Sequence, residues 1–293
     1  MSRRSKALRW LSRRPGLGAW TLLGPGIGWL VVFFAVPIAA MLAVSVMPRG
    51  VYGGVEPGFT LEHYRRFFDP LYLGIFWRTL IWSAACTAIC LLLGFPVAYV
   101  IAHARKWRST LLLLVILPFW TSFLVRTFAM MFLLRDSGLV NGLLLDLGLV
   151  DRPIELLYTP FAVITGLVYG FLPFMVLPIY ASLEKHDPAL LEAATMLGAR
   201  PAAGFFRVTL PLARPGILAG CLLVFIPALG SFLTSDLLGG ARQVLLGNLV
   251  QNQFMAARNW PFGSAVSLVM MTGVLLAVLA WRRRRDAAPE LAR

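Results

Sequence analysis

The chain has 293 residues, of which 59% are hydrophobic and 14% are charged, and its mean hydropathy is +0.77. A water-soluble domain has roughly a quarter of its residues charged, and the charges here are collected between long apolar runs, so the composition indicates an integral membrane protein. The formal net charge is +14. However, the sequence contains no stripe of basic residues with aromatic residues between them, as nucleic-acid binding would need. We therefore expect contact with membrane lipid and no nucleic-acid partner.

Six apolar segments are long enough to cross a membrane, because a helical crossing needs about 20 mostly apolar residues. They lie near 20–47, 75–102, 110–134, 160–182, 214–236 and 262–281. The sequence therefore predicts an all-α integral membrane protein with six transmembrane helices. The basic start of the chain resembles that of a signal peptide, but the apolar run after it is too long for one. We expect an uncleaved first helix.

The distribution of positive charge predicts the orientation in the membrane. With the N-terminus inside, the inner segments are 1–19, 103–109, 183–214 and 282–293. These hold 18 of the 27 lysines and arginines, whereas the outer segments hold seven. We therefore expect a bacterial cytoplasmic-membrane protein with both termini in the cytoplasm. The outer loops are then 48–74, 135–159 and 237–261, and the first of them contains a short interfacial helix in GFTLEHYRRFFDPLY.

Residues that carry chemistry are sparse. The cysteines lie within predicted spans and the histidines lie in separate loops; they are Cys86, Cys90, Cys221, His63, His103 and His186. This pattern predicts neither a disulfide framework nor a metal site, and we interpret the cysteines as packing residues. Phosphate-binding loops, nucleophile elbows and paired intramembrane aspartates are also missing from the sequence. We expect a protein that is not an enzyme and that binds no metal or cofactor of its own.

The long inner loop contains EAATMLGARPAAGFFRVTLP, residues 192–211. Asp187 followed by Pro188 is typical of a helix start, and the residues up to Leu197 favour a helix that Gly198 ends. A second short helix is predicted from Pro201 to Thr209, before a proline at 211. The loop is thus expected to form two short helices with a bend at Gly198.

Small residues in this loop leave a low surface on which another protein can close. Ala193 and Ala194 provide that surface, while Glu192, Arg200 and Arg207 provide charges that fix the register. The alternative is an amphipathic helix lying on lipid headgroups, although the first helix has little positive charge and few large apolar anchors for that role. The residue chemistry leaves both interpretations open.

The spacing of the loop resembles the EAA motif of ABC-importer permeases. Its fixed points are Glu192, Ala193, Ala194, Gly198, Val208, Leu210 and Pro211, with valine where that family usually has isoleucine. In the family this loop is the coupling helix that docks into the ATPase subunit, so the resemblance implies that role for residues 187–211. It also implies the fold of a type I ABC importer permease.

Four further stretches resemble the B-type permeases of spermidine/putrescine importers. They are LPFWTSFLVRTFAMMFLL, LVYGFLPFMVLPIYASLEKHD, GCLLVFIPALGSFLTSDLLGG and NQFMAARNWPFGSAVS. The resemblance implies a path for polyamines, a second homologous permease, an extracytoplasmic substrate-binding protein, and a cytoplasmic ABC ATPase dimer that binds the ATP. Another small solute, such as an organic cation, a phosphonate or ferric iron, remains an alternative.

The predicted organisation has three parts. Residues 1–74 form the basic cytoplasmic N-terminus, the first helix and an outer loop. Residues 75–282 form the ABC transmembrane domain, and residues 283–293 form a cytoplasmic tail.

A self-contained secondary carrier is the competing class of protein. Such a carrier predicts two matching halves and ionisable residues near the membrane midplane, and no such halves are visible in the sequence. A membrane-embedded enzyme is the third interpretation, and the missing catalytic residues weigh against it.

Three residues are candidates for the substrate path. Asp236, at the outer end of the fifth predicted span, is a candidate counter-charge for a cation, because a carboxylate at membrane depth usually faces protein or water; a solvated helix end is the alternative. Trp120 and Tyr169 offer aromatic faces to an ammonium group, or else serve packing. Arg126, inside the third span, is expected to face the bundle interior in a structural role.

Prolines fall inside several predicted spans, and each removes a helical hydrogen bond. They are Pro118, Pro173, Pro178 and Pro227. Each freed backbone carbonyl needs a neighbouring helix or water as its partner, so these four positions suggest a bundle around a hydrated path.

Overall fold

The computed structural model describes residues 15–104, 106–187 and 189–286. The basic residues 1–14, Arg105, the helix-start residue Pro188 and the end of the tail at 287–293 therefore lie outside the described residues. Among the residues described, the elements are all helical, and six segments are long and apolar enough to cross a membrane. These are Leu23–Ser45, Pro70–His103, Phe123–Asp146, Pro160–Leu183, Pro201–Gly230 and Trp260–Ala280. The predicted fold class is confirmed.

The α-helices of the described residues follow in chain order. They are α1 (Pro15–Leu30), α2 (Val36–Ser45), α3 (Glu62–Phe67), α4 (Pro70–His103), α5 (Arg108–Ile116), α6 (Phe123–Leu134), α7 (Leu139–Asp146), α8 (Pro160–Leu183), α9 (Ala189–Met196), α10 (Pro201–Gly204), α11 (Leu210–Gly230), α12 (Leu246–Met255) and α13 (Trp260–Asp286). Wider π-helical turns lie at Val31–Ala35, Phe205–Thr209 and Ser235–Gly239, and tighter 3₁₀ turns at Leu117–Trp120 and Gly240–Arg242.

The chain divides into two compact units, and the first contains residues up to Phe67 together with those from Gln253 onwards. In this unit α13 packs against α2 and α3, and α3 is the short helix predicted in the first outer loop. The connection between α2 and α3 is held by hydrogen bonds to backbone carbonyls of residues just before α13. Arg49 donates to the carbonyl of Ala257 at 2.8 Å, and Gly54 donates its amide to Arg258 at 2.8 Å.

The second unit, residues 68–252, is built on α4, α8 and α11. Glycines permit these helices to approach closely. A Cβ atom at Gly216 would collide with the carbonyl oxygen of Pro178 and lie 2.9 Å from the Cα of Ile179, and one at Gly220 would lie 2.7 Å from the sulfur of Met175. The backbones of α8 and α11 are therefore in contact at positions where a larger residue does not fit.

The cysteines pack as predicted. Cys86 and Cys90 are fully buried in the core of the second unit, Cys221 is half-buried beside it, and all three thiols are free.

The third predicted span, 110–134, is not one continuous helix. This stretch is divided into α5, a 3₁₀ turn and α6, with extended backbone at Thr121 and Ser122, and the segment long and apolar enough to cross a membrane is Phe123–Asp146. Pro118 supplies the reason, since it removes one backbone donor, and the Thr121 hydroxyl donates to the Pro118 carbonyl at 2.7 Å. At the other span prolines the helix continues, since α8 runs through Pro173 and Pro178 and α11 runs through Pro227.

The outer loop predicted at 237–261 contains a helix that the sequence analysis did not identify. This helix, α12, begins with the fully buried residue Leu246, directly after the buried Leu245. A Cβ atom at Gly247 would lie 2.7 Å from the carbonyl oxygen of Gly230, so α12 starts against the end of α11. The part of the loop up to residue 252 therefore folds back into the second unit.

Candidate coupling and substrate-path sites

Local backbone signals define both ends of α9, the first helix of the predicted coupling loop. At its start the Asp187 carboxylate accepts a hydrogen bond from the amide of Ala189 at 2.9 Å. At its end Gly198 has a φ of +82°, and its amide donates to the Thr195 carbonyl while Ala199 donates to Ala194. This pair of bonds is the Schellman motif, in which glycine takes the left-handed position. The predicted cap and the predicted end of the helix are confirmed.

The face of α9 is open. Within this helix no residue is buried; Glu192 and Ala193 are exposed and Ala194 is half-buried. The sequence analysis missed two further residues, Met196 and Leu197, whose side chains are 90% and 89% exposed. The sequence contained a signal for these two residues. Two large apolar residues directly before a helix-ending glycine place apolar side chains at the tip of the loop.

The second half of the loop differs from the prediction of a separate short helix ending at Thr209. α10 begins at Pro201 as expected, but the helix continues through the π turn Phe205–Thr209 into α11 without a break. Pro211, which has no backbone donor, directly follows the wider turn in which the amide of Leu210 donates to the Phe205 carbonyl. The predicted second helix is thus the end of the fifth span.

The two halves of the motif meet around a cavity of about 500 Å³. Glu192 and Thr195 of α9 line it together with Val208 and Leu212. A Cβ atom at Gly204 would lie 3.0 Å from the Leu191 side chain, so α9 rests on the start of the fifth span at this glycine. The remaining motif residues, Leu210 and Pro211, follow Val208 closely in the sequence. Leu210 is half-buried and Pro211 is exposed.

A polar cluster next to this cavity was also missed by the sequence analysis. Arg108, the first residue of α5, forms an ion pair with Glu184 and donates from Nε to the hydroxyl of Tyr180. The Leu212 carbonyl accepts from the Ser182 hydroxyl at 3.2 Å, and His186 Nε2 lies 3.1 Å from the same oxygen. These partners are 26 to 76 residues apart in sequence, so only the tertiary structure brings them together.

Asp236 lies beyond the fifth helix, not at its outer end as predicted. α11 ends at Gly230, Ser231 is extended, and Asp236 falls in the following π turn Ser235–Gly239. Its exposed side chain lines a cavity of about 1000 Å³. Two other carboxylates, two arginines and a tyrosine share this cavity; they are Asp136, Glu155, Arg135, Arg242 and Tyr158.

The other substrate-path candidates lie elsewhere. The side chain of Trp120 is 76% exposed, Tyr169 is also exposed, and neither lines the cavity of Asp236. Their role toward a cation stays a prediction.

Arg126 is 8% exposed, which confirms its predicted position in the interior. Its guanidinium lies 4.7 Å from the centre of the Phe119 ring and 5.6 Å from that of Phe123.

The sequence matches the family described as binding-protein-dependent transport system inner membrane component over residues 91–284. It is 46% identical over 256 residues to the spermidine/putrescine transport system permease protein PotB of Haemophilus influenzae, covering 87% of this chain and 90% of that protein. It is 45% identical over 262 residues to the protein of the same name from Escherichia coli K12, covering 88% and 95% of the two chains.

A solved structure shows the same fold at lower sequence identity. It is the crystal structure of a bacterial ABC transporter involved in the import of the acidic polysaccharide alginate, with a TM-score of 0.70, 20% identity, and coverage of 96% of this chain and 99% of that one. The predicted permease fold and the resemblance to binding-protein-dependent permeases are confirmed. The chain belongs to the family of binding-protein-dependent transport system inner-membrane components, and it is a multi-pass permease subunit of an ABC importer.

Proposed function

We propose that this chain forms, with a second homologous permease, the path by which an ATP-driven importer takes up polyamines such as spermidine and putrescine. The observation that carries the choice of substrate is the identity of 46% and 45% to two relatives named as spermidine/putrescine permeases, along about nine-tenths of their length. The family description, binding-protein-dependent transport, supports a substrate-binding protein as a further partner. That protein delivers the substrate to outer loops 48–74, 135–159 and 237–261.

The ATPase dimer docks on residues 187–211 and binds the ATP. The open face of α9 supports this assignment, because Glu192 and Ala193 are exposed while α9 rests on the fifth span through Leu191. The exposed apolar side chains of Met196 and Leu197 supply the contact area that a partner protein would bury. This loop and both chain termini are on the cytoplasmic side. Coupling then requires that the two conformations of the complex bind ATP unequally.

The substrate leaves the binding protein through the cavity that contains Asp236. Three carboxylates and two arginines line it, and none of the three carboxylates forms an ion pair with another described residue. A volume of about 1000 Å³ is sufficient for a small-molecule site. The carboxylates supply negative charge for the ammonium groups of a polyamine, and Asp236 is the counter-charge that the sequence analysis selected.

Docking of the ATPase is tested by changing Gly198 to valine. Valine at a φ of +82° is strained by about 1–2 kcal/mol, so the end of α9 changes shape and co-purification of the ATPase falls by about tenfold. The matched control is Gly148→Val after α7, where φ is +64° and, as at Gly198, no atom lies within 4 Å of an added Cβ. Equal ATPase recovery from the two variants would reject the docking site.

The substrate is tested with the complete importer in a host that lacks its own polyamine uptake. We expect radiolabelled spermidine or putrescine to accumulate only when this permease, its partner permease, the ATPase and the binding protein are all present. Accumulation of another solute without polyamine uptake would reject the polyamine assignment while leaving the permease assignment intact.

A further inference from the structure

The cluster around Arg108 joins two parts of the second unit that are distant in sequence. Arg108 begins α5, and its guanidinium pairs with Glu184 and lies 5.1 Å from the centre of the Tyr180 ring. Tyr180 is in the last turn of α8, and Glu184 directly follows that helix. Glu184 lies three residues before Asp187, the cap of α9. One side chain therefore links the start of α5 to the residues that lead into α9.

Residues 108–120 pack only partly against the core of the second unit. Leu111, Leu112 and Val115 contact it and are half-buried, and no side chain of α5 or of the 3₁₀ turn Leu117–Trp120 is fully buried. At the far end of this segment the Phe119 ring packs edge-to-face against Phe174 of α8, with centroids 4.9 Å apart. The helix then breaks at Thr121 and Ser122. The segment is thus attached to α8 at both ends. Its backbone is not helically continuous with α6, which contacts it through Arg126 on the Phe119 ring.

A cavity, not a close-packed interface, lies between α9 and this cluster. Arg108, Glu184, Glu192 and Thr195 all line the same space of about 500 Å³. Close-packed side chains transmit a displacement directly, whereas side chains facing an open space do not. A displacement of α9 therefore reaches α5 through the chain that connects α9 to Glu184, and from Glu184 through its ion pair.

We propose that Arg108 is a positioning residue for transport, which makes residues 108–120 move with the end of α8 when the ATPase displaces α9. The proposal rests on the proposed docking of the ATPase at residues 187–211. The side chains of Arg108 and Glu184 are 34% and 42% exposed, and exposed ion pairs contribute little to stability. Loss of the pair is therefore expected to leave the fold intact and to change the transmission of movement.

The test uses the complete importer in proteoliposomes, with spermidine uptake and ATP hydrolysis measured together. R108E and E184R each place two like charges opposite one another, and the R108E/E184R double variant restores an opposite pair. We expect each single variant to retain the ATPase but to transport about tenfold less substrate per ATP, a typical size for coupling between sites. The double variant recovers most of the loss. Lys106→Glu, the same charge reversal at an exposed position two residues away, transports like the wild type.

Two results would overturn the proposal. One is wild-type transport per ATP in both single variants, and the other is a double variant that is no better than the single ones. Failure of the wild-type chain to retain the ATPase would instead reject the proposed docking, so the two failures are distinguishable. If charge reversal prevents membrane insertion, R108K and R108Q decide the question. The lysine variant keeps the ion pair and is expected to remain coupled, the glutamine variant is expected to lose coupling, and equal behaviour contradicts the proposal.

Discussion

The backbone amide of Leu246 donates a hydrogen bond to the hydroxyl of Thr79 at 3.0 Å, across 167 positions of sequence. Both residues are buried, and the same hydroxyl donates to the carbonyl of Ile75 at 2.8 Å. The start of α12 is therefore held against α4 by one side chain. A buried amide without a partner is costly, so this contact explains why an apolar loop folds back into the second unit.

Replacing Thr79 with valine keeps the shape of the side chain and removes the acceptor. We expect the variant to lose about 1–3 kcal/mol of stability, because the amide of Leu246 is then buried without a partner. The measurement is thermal unfolding of the purified protein in detergent. Thr79→Ser retains the hydroxyl and is expected to lose less; equal losses in the two variants would contradict the role of the hydrogen bond.

Replacing Gly216 with alanine is expected to separate α8 from α11. The new methyl group would collide with the backbone at Pro178 and lie 2.7 Å from the Cβ of Ser182, and overpacking of this kind costs about 1–3 kcal/mol. The control is Gly74→Ala in α4, where no atom lies within 4 Å of the added carbon and alanine favours the helix. The melting temperature is expected to fall for the first variant only. A fall of the same size in both would show that the close approach is not the cause.

Replacing Asn141 with aspartate is expected to loosen the outer connection 135–154. The buried Asn141 amide group donates to the carbonyls of Arg135 and Ile154 at 3.2 and 2.9 Å and accepts from the amide of Ile154 at 2.9 Å. Aspartate loses both donors and buries a charge, which costs several kcal/mol. Limited proteolysis of this connection should become faster. Asn252→Asp, at an exposed position, should leave the cleavage rate unchanged, and unchanged cleavage in both variants would contradict the prediction.

Replacing Asp236 with asparagine is expected to weaken polyamine uptake. The carboxylate is exposed, so its attraction for an ammonium group is worth only about 1 kcal/mol, which corresponds to about a fivefold increase in the apparent KM for spermidine. Asp151→Asn removes the same charge from an exposed position that does not line the cavity and should leave the KM unchanged. An unchanged KM in the Asp236 variant would remove this residue from the substrate path.

Local features of the chain were predictable where a single segment decides them. The length of an apolar run determines whether it crosses a membrane, and this is why five of the six spans were located from the sequence. The third was predicted at 110–134, but the segment that is long and apolar enough is Phe123–Asp146. Helix ends are also decided by a single segment of the chain. The Asp187 cap and the left-handed Gly198 depend on backbone groups a few residues away, so both were visible without a fold.

Sequence patterns did not locate the features that depend on distant partners. The start of α12 needs Thr79 of α4, and Arg108 needs Glu184 of another helix end.

The sequence alone determined the class of the protein, the number of its membrane crossings and the coupling motif, because apolar length and residue spacing are properties of the linear chain. Only the tertiary structure decided that helix α9 presents Met196 and Leu197 outwards, and that Asp136 and Glu155 share one cavity with Asp236. The physical reason is that exposure and charge proximity depend on which helices pack together. Such packing brings residues far apart in the chain to within a few ångströms of one another.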